Sequence, residues 1–157
     1  MWATSLNKTM DPDVEQLLTQ QEEQEIVNAI RTAEGQTSGE IRVHIERTTT
    51  DAMQRAQEVF HLLKMDNTAL KNGVLFYFAV EVHKFTILGD SGIDERVDTD
   101  FWNQIRDNMQ NHFVAGEFCK GIVQGIRNTG LALAKYFPWE HDDINELPDE
   151  ITTEDLT

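Results

Sequence analysis

Three short stretches carry side chains suited to holding a hard cation. Ser38 and Glu40 stand in TSGE, Asn72 in KNG, and Asp90, Ser91 and Asp94 in GDSGID. Carboxylates, an amide oxygen, hydroxyls and exposed turn carbonyls make up the oxygen set that calcium prefers, with magnesium as the smaller alternative. Lys71 stands beside Asn72, where its ammonium would hold an anion or pair with an acid. The spacing is not that of an EF-hand loop, because Asp90-Ser91-Gly92-Ile93-Asp94 misplaces the glycine. Asn, Asp, Gly and Ser are also the ordinary residues of turns, so their types alone do not distinguish a site from loop chemistry. What matters is whether the chain brings the three stretches together.

The elements predicted around them do so. Residues 19–34 read as a helix opened by a Thr19/Glu22 capping box, with Ile26, Val27, Ile30 and Ala33 on one stripe and a stop at Gly35. Ile41, Val43 and Ile45 then alternate with Arg42, His44 and Glu46, predicting a strand with one apolar and one polar face. Residues 51–64 read as a helix whose inner side carries Met53, Ala56, Phe60 and Leu63. GVLFYFAV contains no charge and suits a central strand buried on both faces. KFTILGD follows after EVH and should return antiparallel, with Gly89 and Gly92 allowing positive φ in the turn beyond it. Helices from about Thr99 to Phe113 and from about Phe118 to Phe137 complete the body, divided at Gly116 and stopped by Pro138. Gly121, Gly125 and Gly130 in the last helix imply a backbone lying close against a neighbour.

This order predicts an α/β fold with a small mixed sheet between helices. A helix between the first two strands makes them parallel, and the third returns beside the second. The starts of strands one and two and the end of strand three then lie at one end of the sheet. Ser38, Glu40, Asn72, Asp90 and Ser91 would share one rim there, with Asp94 in reach.

Other reactive residues have plainer readings. Cys119 is the single cysteine, which excludes an intrachain disulfide and a cysteine-rich zinc site; in an apolar helix it reads as a buried inert thiol. Gly125 stands where a cysteine phosphatase would place its anion-binding arginine. Asp98-Thr99-Asp100 resembles an aspartyl nucleophile pair but opens a helix, where Asp or Thr serves as a cap. His44 reads as a half-exposed strand residue, His61 as a solvated one, and His112 as a last-turn cation of its helix.

The 157 residues suit one domain over 15–138, with an extension at 1–14 and a tail at 139–157. The net charge is −15, and the tail holds eight acids with no Lys or Arg. Such a surface repels nucleic acid and anionic membranes and leaves divalent cations as the natural small partners. The charged outer side of the first strand should blunt an otherwise open sheet edge, so a monomer is expected. No apolar run reaches the roughly 18 residues of a membrane helix, and the opening residues lack a signal-peptide core, so the expectation is a cytoplasmic chain or the soluble part of something longer.

Several blocks, in order, resemble one family. They are EEQEIVNAIRTAEGQTSGEIRVHIE, KNGVLFYFAVEVHKFTILGDSGI, FWNQI, HFVAGEFCKGIVQGI, YFP and INELPDEI, spanning about residues 15–151. Together they resemble the TPM domain family of thylakoid acid-phosphatase-like and photosystem II repair proteins, and most of all its short bacterial branch. The resemblance implies an αβα sandwich. It also implies divalent-cation binding, chiefly of calcium, or acid-phosphatase activity, both attributed to members. The family's glycine-flanked acid corresponds to Asp90 and the asparagine before its central strand to Asn72. The expectation is therefore a calcium- or magnesium-binding module that supports contact with a protein partner. The alternatives are a weak metal-dependent acid phosphatase and an interaction domain that uses no ion.

Overall fold

The computed structural model describes residues 18–139 and 151–152. Four strands form one mixed sheet: β1 (Glu40–Glu46), β2 (Gly73–Ala79), β3 (Lys84–Gly89) and β4 (Ile151–Thr152), in spatial order β3-β2-β1-β4. β1 and β2 are parallel, Glu40 facing Gly73 and Glu46 facing Ala79, as the intervening helix requires. β3 is antiparallel to β2, from Val74–Gly89 to Ala79–Lys84. β4 lies parallel on the other side of β1, with Val43 opposite Ile151 and His44 opposite Thr152.

Helices cover both faces, giving the expected αβα sandwich. On one face lie α1 (Gln20–Glu34), α4 (Thr99–Val114) and α5 (Phe118–Tyr136); on the other lies α2 (Ala52–Leu62). A one-turn helix, α3 (Ser91–Asp94), follows β3 directly. α1 begins with the predicted capping box, Thr19 and Glu22 each accepting the other's backbone N–H at 3.0 Å. Asp98 caps α4 by accepting from the Phe101 N–H at 3.1 Å, which accounts for the Asp98-Thr99-Asp100 run.

The larger core joins Ile26 and Ile30 of α1, Ile41, Val43 and Ile45 of β1, Val74, Phe76 and Phe78 of β2, and the inner faces of α4 and α5. Phe78, Phe85, Phe113 and Phe118 meet there in edge-on and stacked pairs. Each such buried side chain contributes about 1.5–3 kcal/mol relative to exposure. Beneath α2 a smaller core joins Ala56, Val59 and Phe60 to Leu75, Tyr77 and Ala79. Met53, expected on the inner side of α2, is 44% exposed, and Val59 occupies the core instead.

Two expectations about the strands change. β1 is not an open edge, because β4 pairs with it at Val43 and His44. Nor is its polar face half-exposed: all seven residues are buried, and His44 is 0% exposed. The period-2 pattern identified the strand correctly, but the polar half is covered as well. The expected extension at 1–14 lies outside the described residues. Of the expected tail, Trp139 and the β4 pair are described, while Ile144 and Leu147 lie outside. No helix among the described residues is long and apolar enough to cross a membrane.

Candidate functional site

The rim forms where the topology places it. Glu40 N–H donates to the Asn72 carbonyl at 3.2 Å, and Asp90 N–H donates to the Gly73 carbonyl at 2.9 Å, joining the ends of all three long strands. The Asn72 side chain, 1% exposed, donates to Ser38 Oγ at 3.4 Å. Glu40 is likewise buried, at 4%. Asp90 caps α3: its Oδ1 accepts from the Ser91 N–H at 2.7 Å. Its Oδ2 is buried and has no hydrogen-bond partner. An uncompensated carboxylate oxygen is costly to bury, so Oδ2 is an atom that a further polar or cationic partner would stabilise.

Gly92 closes this junction. A Cβ there would stand 2.2 Å from the Leu70 carbonyl oxygen and 2.5 Å from that of Lys71, both rigid backbone. The Gly92 N–H donates to Lys71 O at 2.8 Å. Only glycine lets the loop before β2 touch the helix after β3. The requirement is for space, since the one positive-φ glycine among the described residues is Gly116, at 81°. The expected left-handed turn at Gly89 and Gly92 is therefore replaced by a strand end and a short helix. At Gly89 the space is filled by Trp102, whose Cζ2 would lie 2.6 Å from an added Cβ.

The remaining predicted residues separate from this group. Ser91 and Asp94 are exposed on α3, and Asp94 Oδ1 accepts from Trp102 Nε1 at 3.3 Å. Asp94 lines a shallow groove with Asp98, Thr99, Trp102, Asn103 and Arg106. Lys71, in a left-handed conformation at φ 52°, donates from its ammonium to the Asp66 carbonyl. Among the described residues no three His, Cys, Asp or Glu side chains are arranged as a metal-holding group. The rim's side-chain oxygens are thus a mixed set from Asp90, Asn72, Glu40 and Ser38.

A second polar cluster lies under α2 and was not anticipated. Glu46 is its hub. Tyr77 donates its hydroxyl to Glu46 Oε2 at 2.6 Å, and Arg55 Nε reaches the two carboxylate oxygens at 2.9 and 3.0 Å. His44 Nε2 lies 3.0 Å from Glu46 Oε1, and its Nδ1 lies 2.9 Å from Thr152 Oγ1 on β4. Burial alone would raise the Glu46 pKa, but hydrogen bonds from His44, Arg55 and Tyr77 prevail and hold it at about 2. Burial lowers the His44 pKa against the pull of Glu46, with Arg55 and Arg42 adding to the lowering. Burial and the Glu46 hydrogen bond raise Tyr77. The sequence signal was present: Arg42, His44 and Glu46 alternate in a strand beside one that is apolar on both faces, so a buried polar row was a readable outcome.

Cys119 behaves as expected. It is buried between α5 and α1, and burial, then the hydrogen bond to Glu25, pushes its thiol up to about 12. It is therefore not a thiolate nucleophile at neutral pH.

The fold is similar to that of solved structures. The BA42 protein of the psychrophilic bacterium Bizionia argentinensis, whose structure was determined by NMR, is 54% identical over 92% of this chain and all of its own, with a TM-score of 0.86. The N-terminal domain of the cg2496 protein from Corynebacterium glutamicum is 12% identical, covers 80% of this chain and 82% of its own, and superposes with a TM-score of 0.60, a likeness of fold alone. No curated protein matches the chain. The family model described as TPM domain matches residues 12–131. With that match across the strands that build the rim, the chain belongs to the TPM domain family.

Proposed function

We propose that the chain is a divalent-cation-binding module, with Asp90 as the principal ligand at the rim and calcium as the preferred ion. The observation that carries this reading is the buried, unpartnered Oδ2 of Asp90, on the same sheet end as Asn72, Glu40 and Ser38 through the backbone bonds of Asp90 to Gly73 and of Glu40 to Asn72. A hard cation would satisfy that oxygen and complete its shell with amide, hydroxyl and carbonyl oxygens and water. Magnesium fits less well, because it demands near-ideal octahedral geometry from a set supplied by three loops. Bound there, the ion would tie together the loops before β1 and β2 and after β3, and present them to a protein partner. Ester hydrolysis at the same rim is disfavoured, since the neighbouring acids repel a phosphate.

Asp90→Asn is the direct test, because Asn caps helices as well as Asp and so preserves α3. Calorimetric titration with calcium should show affinity falling ~10-fold or more, with an unchanged melting temperature for the ion-free protein. Undiminished calcium affinity in this variant would overturn the assignment.

A further inference from the structure

Alternation along the strands sets three residues in a row across the sheet end. In β1, Ile41, Val43 and Ile45 enter the larger core, so Glu40 falls on the opposite face, under α2. In β2, Leu75, Tyr77 and Ala79 join the smaller core, and Gly73 is in phase with them. In β3, Leu88 packs on that smaller core, and Asp90 follows two positions later in extended conformation, at φ −72° and ψ 166°. Glu40 stands opposite Gly73 in the register, and the Asp90 N–H donates to the Gly73 carbonyl at 2.9 Å. The order across the α2 face is therefore Asp90, Gly73, Glu40, with no side chain in the middle position. Two strand spacings separate the outer backbones by about 10 Å. Two carboxylate side chains and an ion with oxygens at roughly 2.3–2.6 Å can span that distance.

A turn roofs this space. The connection from α2 to β2 passes through a single 3-10 turn, Met65–Asn67. The Met65 carbonyl oxygen lies 3.2 Å from the position of a Gly73 Cβ, and Phe60 Cζ of α2 lies 3.7 Å from it. Thr68 follows the turn; its carbonyl accepts from the Lys71 N–H at 3.4 Å, and the Lys71 carbonyl accepts from Gly92 of α3. Thr68 is 3% exposed, and its Oγ1 has no hydrogen-bond partner. A buried hydroxyl without a partner is costly, and valine would supply the same shape without that cost.

We propose that the cation is held on the α2 face of the sheet, over Gly73 and between Asp90 and Glu40, and that the Thr68 hydroxyl is a further ligand. This placement rests on the cation site proposed at Asp90 and gives it a side of the sheet and a roof. An ion there supplies Asp90 Oδ2 and Thr68 Oγ1 with their missing partner at once. A hydroxyl is a neutral donor, so it adds to the roughly six to eight oxygens that calcium takes without adding repulsion between carboxylates.

The test is calorimetric titration of the chelator-treated full chain with calcium, together with melting temperatures of the ion-free proteins. Thr68→Val should weaken calcium binding about 10-fold or more and leave the ion-free melting temperature unchanged or higher, because it removes an unsatisfied hydroxyl. Thr68→Ser keeps the hydroxyl and should bind within about threefold of the unaltered chain. Undiminished affinity in Thr68→Val, while Asp90→Asn loses affinity, would overturn the Thr68 ligand and leave the Asp90 site standing. Equal losses in Thr68→Val and Thr68→Ser, with lowered ion-free melting temperatures, would mean a packing role alone and overturn it as well. A lack of calcium binding by the unaltered chain would overturn the Asp90 site and this placement with it. Should Thr68→Val not fold, NMR of the unaltered chain decides: the Thr68 amide and methyl shifts should saturate with the same midpoint as the Asp90 amide, and Thr68 shifts that ignore calcium would overturn the ligand.

Discussion

Asp90 and Glu46 are both carboxylates on strand ends or edges, but their surroundings assign them opposite roles. Glu46 receives hydrogen bonds from Tyr77 and Arg55 and has His44 beside it, so it is fully committed to the fold. Glu46→Ala would leave a buried phenol and imidazole without their carboxylate and the half-buried Arg55 with Glu58 alone, and should cost about 3 kcal/mol or more in urea unfolding. Tyr77→Phe removes one donor while Arg55 and His44 remain, and should cost only about 1–2 kcal/mol. Equal losses for the two variants would contradict Glu46 as the hub. Asp90, by contrast, keeps one buried oxygen unsatisfied. That difference was not legible in the sequence. Asp90, Asn72 and Glu40 could be selected by type and topology, but whether a carboxylate is partnered depends on side chains many residues away. His44 was misjudged because alternation by itself reveals only which face a residue points to; that the face is covered had to be read from the neighbouring strand, which is apolar on both faces.

At the scale of elements, the order of strands and helices was readable because each carries a strong local signal. The capping box at Thr19, the eight uncharged residues from Gly73 and the four-residue recurrence from Phe101 to Phe113 all placed their elements correctly. β4 was not readable: two residues have no periodicity, and their strand character comes from β1. The glycines of α5 were anticipated as close contacts, and the structure identifies what they touch. A Cβ on Gly130 would stand 2.6 Å from Ala33 Cβ and 3.1 Å from Ala33 Cα, on rigid α1. Gly130→Ala should therefore destabilise by about 1–3 kcal/mol although alanine is the better helix former by about 1 kcal/mol. At Gly125 the obstructing atoms belong to the flexible Met109 side chain, and Gly125→Ala should cost less. Thermal unfolding of the two variants side by side checks the ranking, and a more stable Gly130→Ala would refute the close α1–α5 packing.

For the whole molecule, the buried polar cluster predicts acid lability. His44 has a depressed pKa, so its neutral form belongs to the fold; the corresponding stability is complete above about pH 6.5 and declines as pH falls below it. Glu46 is also depressed, and its contribution is complete above 4.5 and is lost as pH falls toward about 2. Urea midpoints should therefore decrease in two stages on acidification, and His44→Gln should remove the first. The net charge of −15 adds general self-repulsion, which salt screens and any cation relieves. Cation binding at the rim predicts more than this general effect: calcium at about 100 times its dissociation constant should add about 2.7 kcal/mol, and Asp90→Asn should remove most of that gain.

The central claim is the rim, and backbone amide shifts report on it residue by residue. Chelator-treated protein, titrated with calcium and then magnesium at constant ionic strength, should show saturable shifts concentrated at residues 38–40, 72–73 and 89–92, with calcium the tighter ion. Shifts confined to the acidic residues after 139, or spread evenly over the surface, would contradict a cation site at Asp90.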